Sequence, residues 1–412
     1  MRHTDAIIIG AGQAGLAISH CLGRHGVDHV ILERGRTAER WRSERWDSLR
    51  LLTPNWMSRL PGWSYQGPEP DGYMTMPEVV GYLDAYARVS AAPVMADTTV
   101  RAVRRVASGY AVETSRGAWR TRVVVIATGQ CDQPHVPAMA GSLPASIRQV
   151  TPSAYRHPGL LPEGGVLVVG ASASGVQLAE EIHRSGRPVS LAVGRHTRLP
   201  RTYRGRDIMA WLERVGVLDQ TAEEVRDLAE ARRQPSLQLA GRPLRDNLDL
   251  GVLQALGVRL LGRAGGIDGT VLHLADDLAE TMAAAHRRLE RLLARIDLAA
   301  GAEGAPAEAW PVAIGLAAPA PARLDLAVEG IRTVVWATGF RRDYGWLQVP
   351  VLDAEGEIIH RGGVTPAPGL YALGLRFLRR RRSNFLDGVG GDAEALAWHI
   401  LAQLAATRRA AA

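Results

Sequence analysis

Two glycine-rich turns carry the clearest chemistry in the chain. The first, Gly10-Ala11-Gly12-Gln13-Ala14-Gly15, follows the β-branched run Ile7-Ile8-Ile9 and leads into apolar residues 16–22 at helical spacing. This reads as strand, turn and helix. Gly10 permits the tight turn, Gly12 lets a pyrophosphate reach the backbone, Gly15 lets helix and strand pack closely, and the helix N-terminus faces the anion. A second strand, His29-Val30-Ile31-Leu32, ends at Glu33, 23 positions after Gly10, where a carboxylate can hold both hydroxyls of an adenosine ribose.

The device recurs at Gly170-Ala171-Ser172-Ala173-Ser174-Gly175, between a strand at 165–169 and a helix at 176–183. The strand that follows, 188–193, ends in Gly194-Arg195-His196 with no acid. Arg195, Arg198 and Arg201 stand nearby, so a ribose 2′-phosphate is attracted instead of repelled, which points to NADPH over NADH. Two further strands close in matching tripeptides, Ala127-Thr128-Gly129 and Ala337-Thr338-Gly339, small enough for the chain to cross close to a bound dinucleotide.

The rest of the composition narrows the chemistry. The chain has 412 residues, 49 basic against 42 acidic, and every basic residue is arginine. A lysine Schiff base and a GxxxxGK[ST] phosphate loop are therefore excluded. The two cysteines, Cys21 and Cys131, lie 110 positions apart, which removes a CxxC redox pair and any Cys/His metal spacing. No metal is expected. The first apolar run, Ala6 to Ile9, is far shorter than a membrane span, so a cytoplasmic protein without a membrane partner is expected. The arginines are scattered, which argues against nucleic acid, apart from the run 379–382. That run reads first as a solvated loop, and alternatively as an electropositive rim drawing in NADPH or an acidic substrate.

With these motifs in place the chain resembles the flavoproteins with two dinucleotide-binding domains, and within them the flavin-containing monooxygenases and plant YUCCA-type enzymes. The likeness rests on 10–15, Glu33, Asp47-Ser48-Leu49-Arg50-Leu51-Leu52-Thr53-Pro54, 127–129, 170–175, Leu199-Pro200-Arg201, 337–340 and Gly369-Leu370-Tyr371-Ala372-Leu373-Gly374. It implies an α/β fold of two Rossmann-like domains, the second inserted into the first. It further implies FAD on Gly10, Gly12, Gln13, Ala14, Gly15, Glu33, Arg34, Thr128 and Gly129, and NADPH on Gly170, Ser172, Ser174, Gly175, Arg195, Arg201, Thr338 and Gly339. In the family, reduced flavin and molecular oxygen form a C4a-hydroperoxide that oxidises a soft nitrogen or sulfur of a small molecule.

The family's FxGxxxHSxxY fingerprint falls on 145–155, where Thr151 replaces the histidine and only Tyr155 and a displaced serine remain. After Gly374 comes Leu375, as in monooxygenases, where disulfide reductases carry Asp; Asp392 is the acid expected to face the flavin. The resemblance also places Trp41 beside the flavin ring, and Asn55 and Tyr155 near the reacting centre. An NADPH-dependent reductase passing electrons to a small acceptor uses the same folds and is favoured by the missing histidine. A non-catalytic flavin-binding regulator is the remaining class.

The expected FAD domain is discontinuous, 1–149 and 326–412, around an NADP domain of 150–325. The latter should hold a helical insertion at about 203–300, with helices at 221–233 and 276–296, and an Ala/Pro/Gly-rich linker at 301–323 anchored by Trp310. The helix at 276–296 would bury Leu278, Met282, Leu289, Leu292 and Ile296.

Overall fold

The computed structural model describes residues 1–411. Its first sheet is built around Arg2–Ile9, which runs parallel to His29–Leu32 on one side and to Gly117–Ile126 on the other, with Ile7 opposite Val30 and Val124. From Ala6 to Ile9 both faces of this strand are covered, which is why that half is a continuous apolar run instead of an alternation. Val94–Met95 extends one edge, Leu370–Ala372 returns parallel to Gly117–Ile126, and the strands Val100–Val106 and Gly109–Thr114 form an antiparallel excursion on the other edge. Helix Gln13–Arg24 and the closing helix Val389–Ala411 pack together beside this sheet.

The second sheet is wholly parallel, in the order Arg148–Val150, Ile331–Trp336, Gly165–Val169, Val189–Ala192 and Arg259–Leu261. Chain order reverses beside Gly165–Val169, the switch point at which such sheets bind dinucleotides. The second domain therefore extends to residue 336, beyond the boundary expected at 325. Val334 and Val335 pair with Leu167 and Val168, all four fully buried, and that pairing is invisible in a strand read in isolation.

The insertion is mixed, not helical. It contributes Arg259–Leu261 to the main sheet and forms a small antiparallel sheet of Ala264–Asp268, Val271–Leu274 and Arg323–Asp325. Only Leu228–Arg232 of the expected helix at 221–233 forms, because 221–222 instead make backbone contacts with 379–380. The long helix is Leu278–Ala302, burying Leu278, Met282, Leu289 and Ile296 as expected, with Leu293 taking the place assigned to Leu292. Trp310 anchors the linker, its indole N–H donating to Asp297 at 2.8 Å. The chain passes between domains through a two-stranded ribbon, Gln133–Pro134 against Phe340–Arg341.

Candidate functional site

The two glycine turns share one construction. Gly10 has φ +107°, and a Cβ there would sit 2.7 Å from the Ala127 carbonyl oxygen; Gly170 has φ +108°, with a Cβ 2.4 Å from that of Ala337. In each fold a Cβ on the third glycine, Gly15 or Gly175, would lie 1.8 Å from the carbonyl oxygen of the first. This explains why 127–129 and 337–339 are small: each crosses directly against its glycine turn. Gly12 differs, with nothing within 4 Å of the Cβ position, so its face is open. Helix Gln13–Arg24 begins with neither a side-chain cap nor an acid in its first turn, leaving its amides available to an anion.

A cavity of about 420 Å³ lies over the first turn. Gly10, Gly12, Gln13, Ala14, Glu33, Arg34, Trp41, Thr128 and Gly129 all line it, and Gly15 sits beneath as a packing residue. The Glu33 carboxylate accepts from the Ala11 and Gly35 amides at 2.7 and 2.9 Å, which fixes it at the strand end. Gln13 donates to the Asn384 carbonyl at 2.9 Å, joining the turn to the segment before the last helix. Open glycine face, uncapped helix and positioned acid fit a flavin dinucleotide. Gly374, from the motif ending at that residue, also lines the cavity, as do Arg40, Arg45, Cys131 and Asn384, which no sequence motif marks.

At the second turn, Ser172 precedes helix Ala173–Arg184 without capping it, and Ser174 stands in its first turn. Thr338 donates to the His135 carbonyl. The three arginines after the second strand separate sharply. Arg195 is exposed and pairs with Glu230 at 2.7 Å. Arg198 is held by Asp249 at 2.8 Å. Arg201, expected to bind cofactor, is 1% exposed, paired with Asp207, donating to the Leu52 carbonyl at 2.7 Å and lying 5.1 Å from the Tyr73 ring centroid. It is a structural arginine, and of the three only Arg195 is exposed, its one ion pair being with an exposed carboxylate.

Other expected site residues also have structural occupations. Both ends of the Asn55 amide are committed, donating to the Glu69 carbonyl at 2.9 Å and accepting from the Met74 amide at 2.8 Å. Tyr155 is buried at the domain junction and donates to Glu181 at 3.0 Å, while Ser48 donates to the other oxygen of that carboxylate. Neither Asn55 nor Tyr155 lines the cavity. The arginine run is no solvated loop. Arg382 is largely buried among Asp387, Glu213 and Asp219, Arg380 pairs with Asp219, and Arg381 donates to Gln220 and Gln234.

Asp392 lies outside the cavity lining, 4% exposed, with one carboxylate oxygen unpartnered. Burial pushes its carboxyl from 3.8 up to about 6, against the Ser383 hydroxyl that favours the ionised form. A native pKa above the unfolded one means the folded state binds the extra proton between about 4 and 6, so stability falls as pH rises through that window. Asp392→Asn should therefore raise stability at pH 8 by about 2 kcal/mol, the gain vanishing below pH ~4. Thermal melts of both proteins across pH check this.

The two thiols are unpaired. Burial pushes Cys21 up to about 12, and Cys131 stands alone at the cavity. Two glycine turns of one construction, one of them opening on a cavity, are the architecture of a nucleotide-binding oxidoreductase.

Residues 7–215 match the family profile described as pyridine nucleotide-disulphide oxidoreductase. The chain is 33% identical over 405 residues to an uncharacterized CzcO-like oxidoreductase of Geobacillus kaustophilus, covering 97% of this chain and 99% of that one. It is 32% identical over 206 residues to the indole-3-pyruvate monooxygenase YUCCA4 of Oryza sativa, covering 46% of this chain and 47% of that protein. A flavin-containing monooxygenase from Stenotrophomonas maltophilia superposes with a TM-score of 0.67 at 21% identity, over 98% of this chain and 99% of that one. The chain belongs to the pyridine nucleotide-disulphide oxidoreductase family and is an oxidoreductase whose fold is that of flavin-containing monooxygenases.

Proposed function

We propose that the chain is an NADPH-dependent flavin monooxygenase, transferring one atom of molecular oxygen to a soft nitrogen or sulfur of a small molecule in the cytoplasm. The observation that carries this reading is the pair of Cβ-excluding glycine turns, one feeding a cavity that has a single cysteine and no partner for it. Bound FAD would supply the electron and oxygen chemistry. The chain's own part is to hold it: the open face of Gly12 and the helix amides for the pyrophosphate, Glu33 for the ribose, and Trp41 as an apolar wall. Thr151, in place of the fingerprint histidine, sits in a turn whose carbonyl accepts from the Ala154 and Tyr155 amides, outside the cavity lining, so this departure leaves the lining itself unchanged.

Anaerobic reduction by NADPH followed by oxygen, with amines and thioethers present, should give a product heavier by one oxygen. NADPH oxidation that yields only peroxide with every candidate, yet runs fast with a quinone acceptor, would establish the reductase reading instead.

Arg195 is the proposed reader of the 2′-phosphate. Arg195→Ala should raise the apparent NADPH constant about tenfold to hundredfold and leave weak NADH use unchanged. Because Glu230 competes for the same guanidinium, Glu230→Gln should lower that constant severalfold. Equal loss with both nucleotides would remove Arg195 from this role.

A further inference from the structure

The two nucleotide folds are matched by their own hydrogen bonds, and they differ where the ribose is read. The Gly10 amide donates to the Leu32 carbonyl at 2.9 Å and the Gly170 amide to the Ala192 carbonyl at 3.0 Å, so Leu32 and Ala192 hold the same place. Glu33 follows the first. The second is followed by Val193, fully buried, and then by Gly194, with open space where its Cβ would stand. Nδ1 of the buried His196 lies 3.0 Å from the Gly194 carbonyl and closes 194–196 into a turn. Burial lowers the pKa of that imidazole, so Arg195 is the one cation within the turn near neutral pH.

A second cation reaches the turn from outside the nucleotide fold. Arg288 stands on the insertion helix Leu278–Ala302, and its Nη2 donates to the His196 carbonyl at 3.0 Å, one residue along from Arg195. The helix is seated firmly there. Met282, Ala285 and Leu289 are buried beneath it, and Nδ1 of His286 lies 3.2 Å from Nη1 of Arg198, which Asp249 holds at 2.8 Å. Among the described residues Arg288 forms no ion pair, and its exposed neighbour Arg287 makes no contact with the turn. Glu230, whose charge also acts on Arg288, already pairs with Arg195 at 2.7 Å. Burial, and then the charges of Arg195, Arg291 and Arg287, push the Arg288 pKa down, against Glu230. Two guanidinium groups thus share one carboxylate, and a phosphate dianion would balance the remainder.

We propose that Arg288 is the second arm of a two-arginine clamp on the ribose 2′-phosphate of NADPH, with Arg195 as the first. The proposal rests on reading the second glycine turn as the NADPH site. Arg288 spends one N–H on the His196 carbonyl, which orients its fork and leaves the other N–H groups for phosphate oxygens. Selectivity for the phosphate is then divided between two parts of the chain: the nucleotide fold supplies the glycine turn and one guanidinium, and the insertion helix supplies the other. NADH, lacking the phosphate, gains nothing from the second arm.

The test uses FAD-loaded protein without turnover. Adenosine 2′,5′-bisphosphate and 5′-AMP are titrated by calorimetry at one ionic strength. With two arms the parent should prefer the bisphosphate about a hundredfold, and Arg288→Gln should weaken the bisphosphate about tenfold, leave 5′-AMP unchanged and melt like the parent. Arg287→Gln should leave both ligands as they are in the parent. A parent that binds the two ligands equally would overturn the NADPH reading of the second turn, and the clamp with it. A parent that prefers the bisphosphate, with Arg288→Gln keeping that preference in full, would overturn the clamp alone. Equal weakening of both ligands by Arg288→Gln would assign Arg288 to the fold of the turn, and an equal loss from Arg287→Gln would reduce it to one charge in a diffuse field; either result overturns the clamp as well.

Discussion

Gly15→Ala is expected to yield protein that melts far lower and retains no FAD. The added methyl would lie 1.8 Å from the Gly10 carbonyl oxygen, a backbone atom that can yield only if helix Gln13–Arg24 moves off the sheet. Overpacking at such a contact costs about 1–3 kcal/mol, and more where, as here, the obstructing atom is backbone. Gly175→Ala meets the same 1.8 Å contact at Gly170 and should destabilise the second domain and abolish NADPH binding, with FAD kept at temperatures where the first domain stays folded. Gly12→Ala separates the two effects. With nothing within 4 Å of its Cβ, the variant should melt like the parent when flavin is removed, yet hold FAD at least tenfold more weakly because the methyl covers the phosphate face. Flavin-to-protein ratios and melts of the three variants check all of this.

The second large effect is expected from Arg201→Ala. Removing a buried guanidinium strands Asp207, whose carboxylate also caps helix Ile208–Arg214 by accepting from the Met209 amide at 2.8 Å. Breaking one side of a buried pair costs about 3–5 kcal/mol. Arg195→Ala, by contrast, removes an exposed pair worth at most about 1 kcal/mol. Denaturant unfolding should therefore rank the two variants in the reverse order of their effect on NADPH. Equal destabilisation would contradict the assignment of Arg201 to the interior.

The contrast between these arginines shows what a sequence can convey. The glycine turns, their strands, Glu33 and the cavity wall of 127–129 are legible because each is specified within a few residues: φ, Cβ clearance and strand ends are local properties; Trp41, which also lines the cavity, follows only from the resemblance. Arg195 and Arg201 look alike in sequence. Their fates are set by Glu230, Asp207 and the Leu52 carbonyl, none of which a spacing rule connects to them. Asn55 and Tyr155 misled for the same reason, since their side chains are consumed by Glu69, Met74 and Glu181. The strand Ile331–Trp336 lies in the second sheet, past the boundary expected at 325, because an apolar run states that it is buried, not beside which neighbour. The arginine run looks solvated in sequence because its partners, Glu213, Asp219, Gln220 and Gln234, lie far away in the chain.

The ribbon of Gln133–Pro134 and Phe340–Arg341 carries both covalent crossings between the domains side by side. A paired ribbon of that kind acts mechanically as a single hinge, free to bend about one line. The arginine run grips the insertion at Glu213, Asp219 and Gln220, and Ser48 grips Glu181, so the swing about that line is latched at points away from the hinge. The latch is mostly ionic, with the Arg380–Asp219 pair exposed and open to screening by salt and the Arg382 cluster largely buried and screened less. Raised ionic strength should therefore loosen the exposed Arg380–Asp219 pair first and leave the buried Arg382 cluster closed.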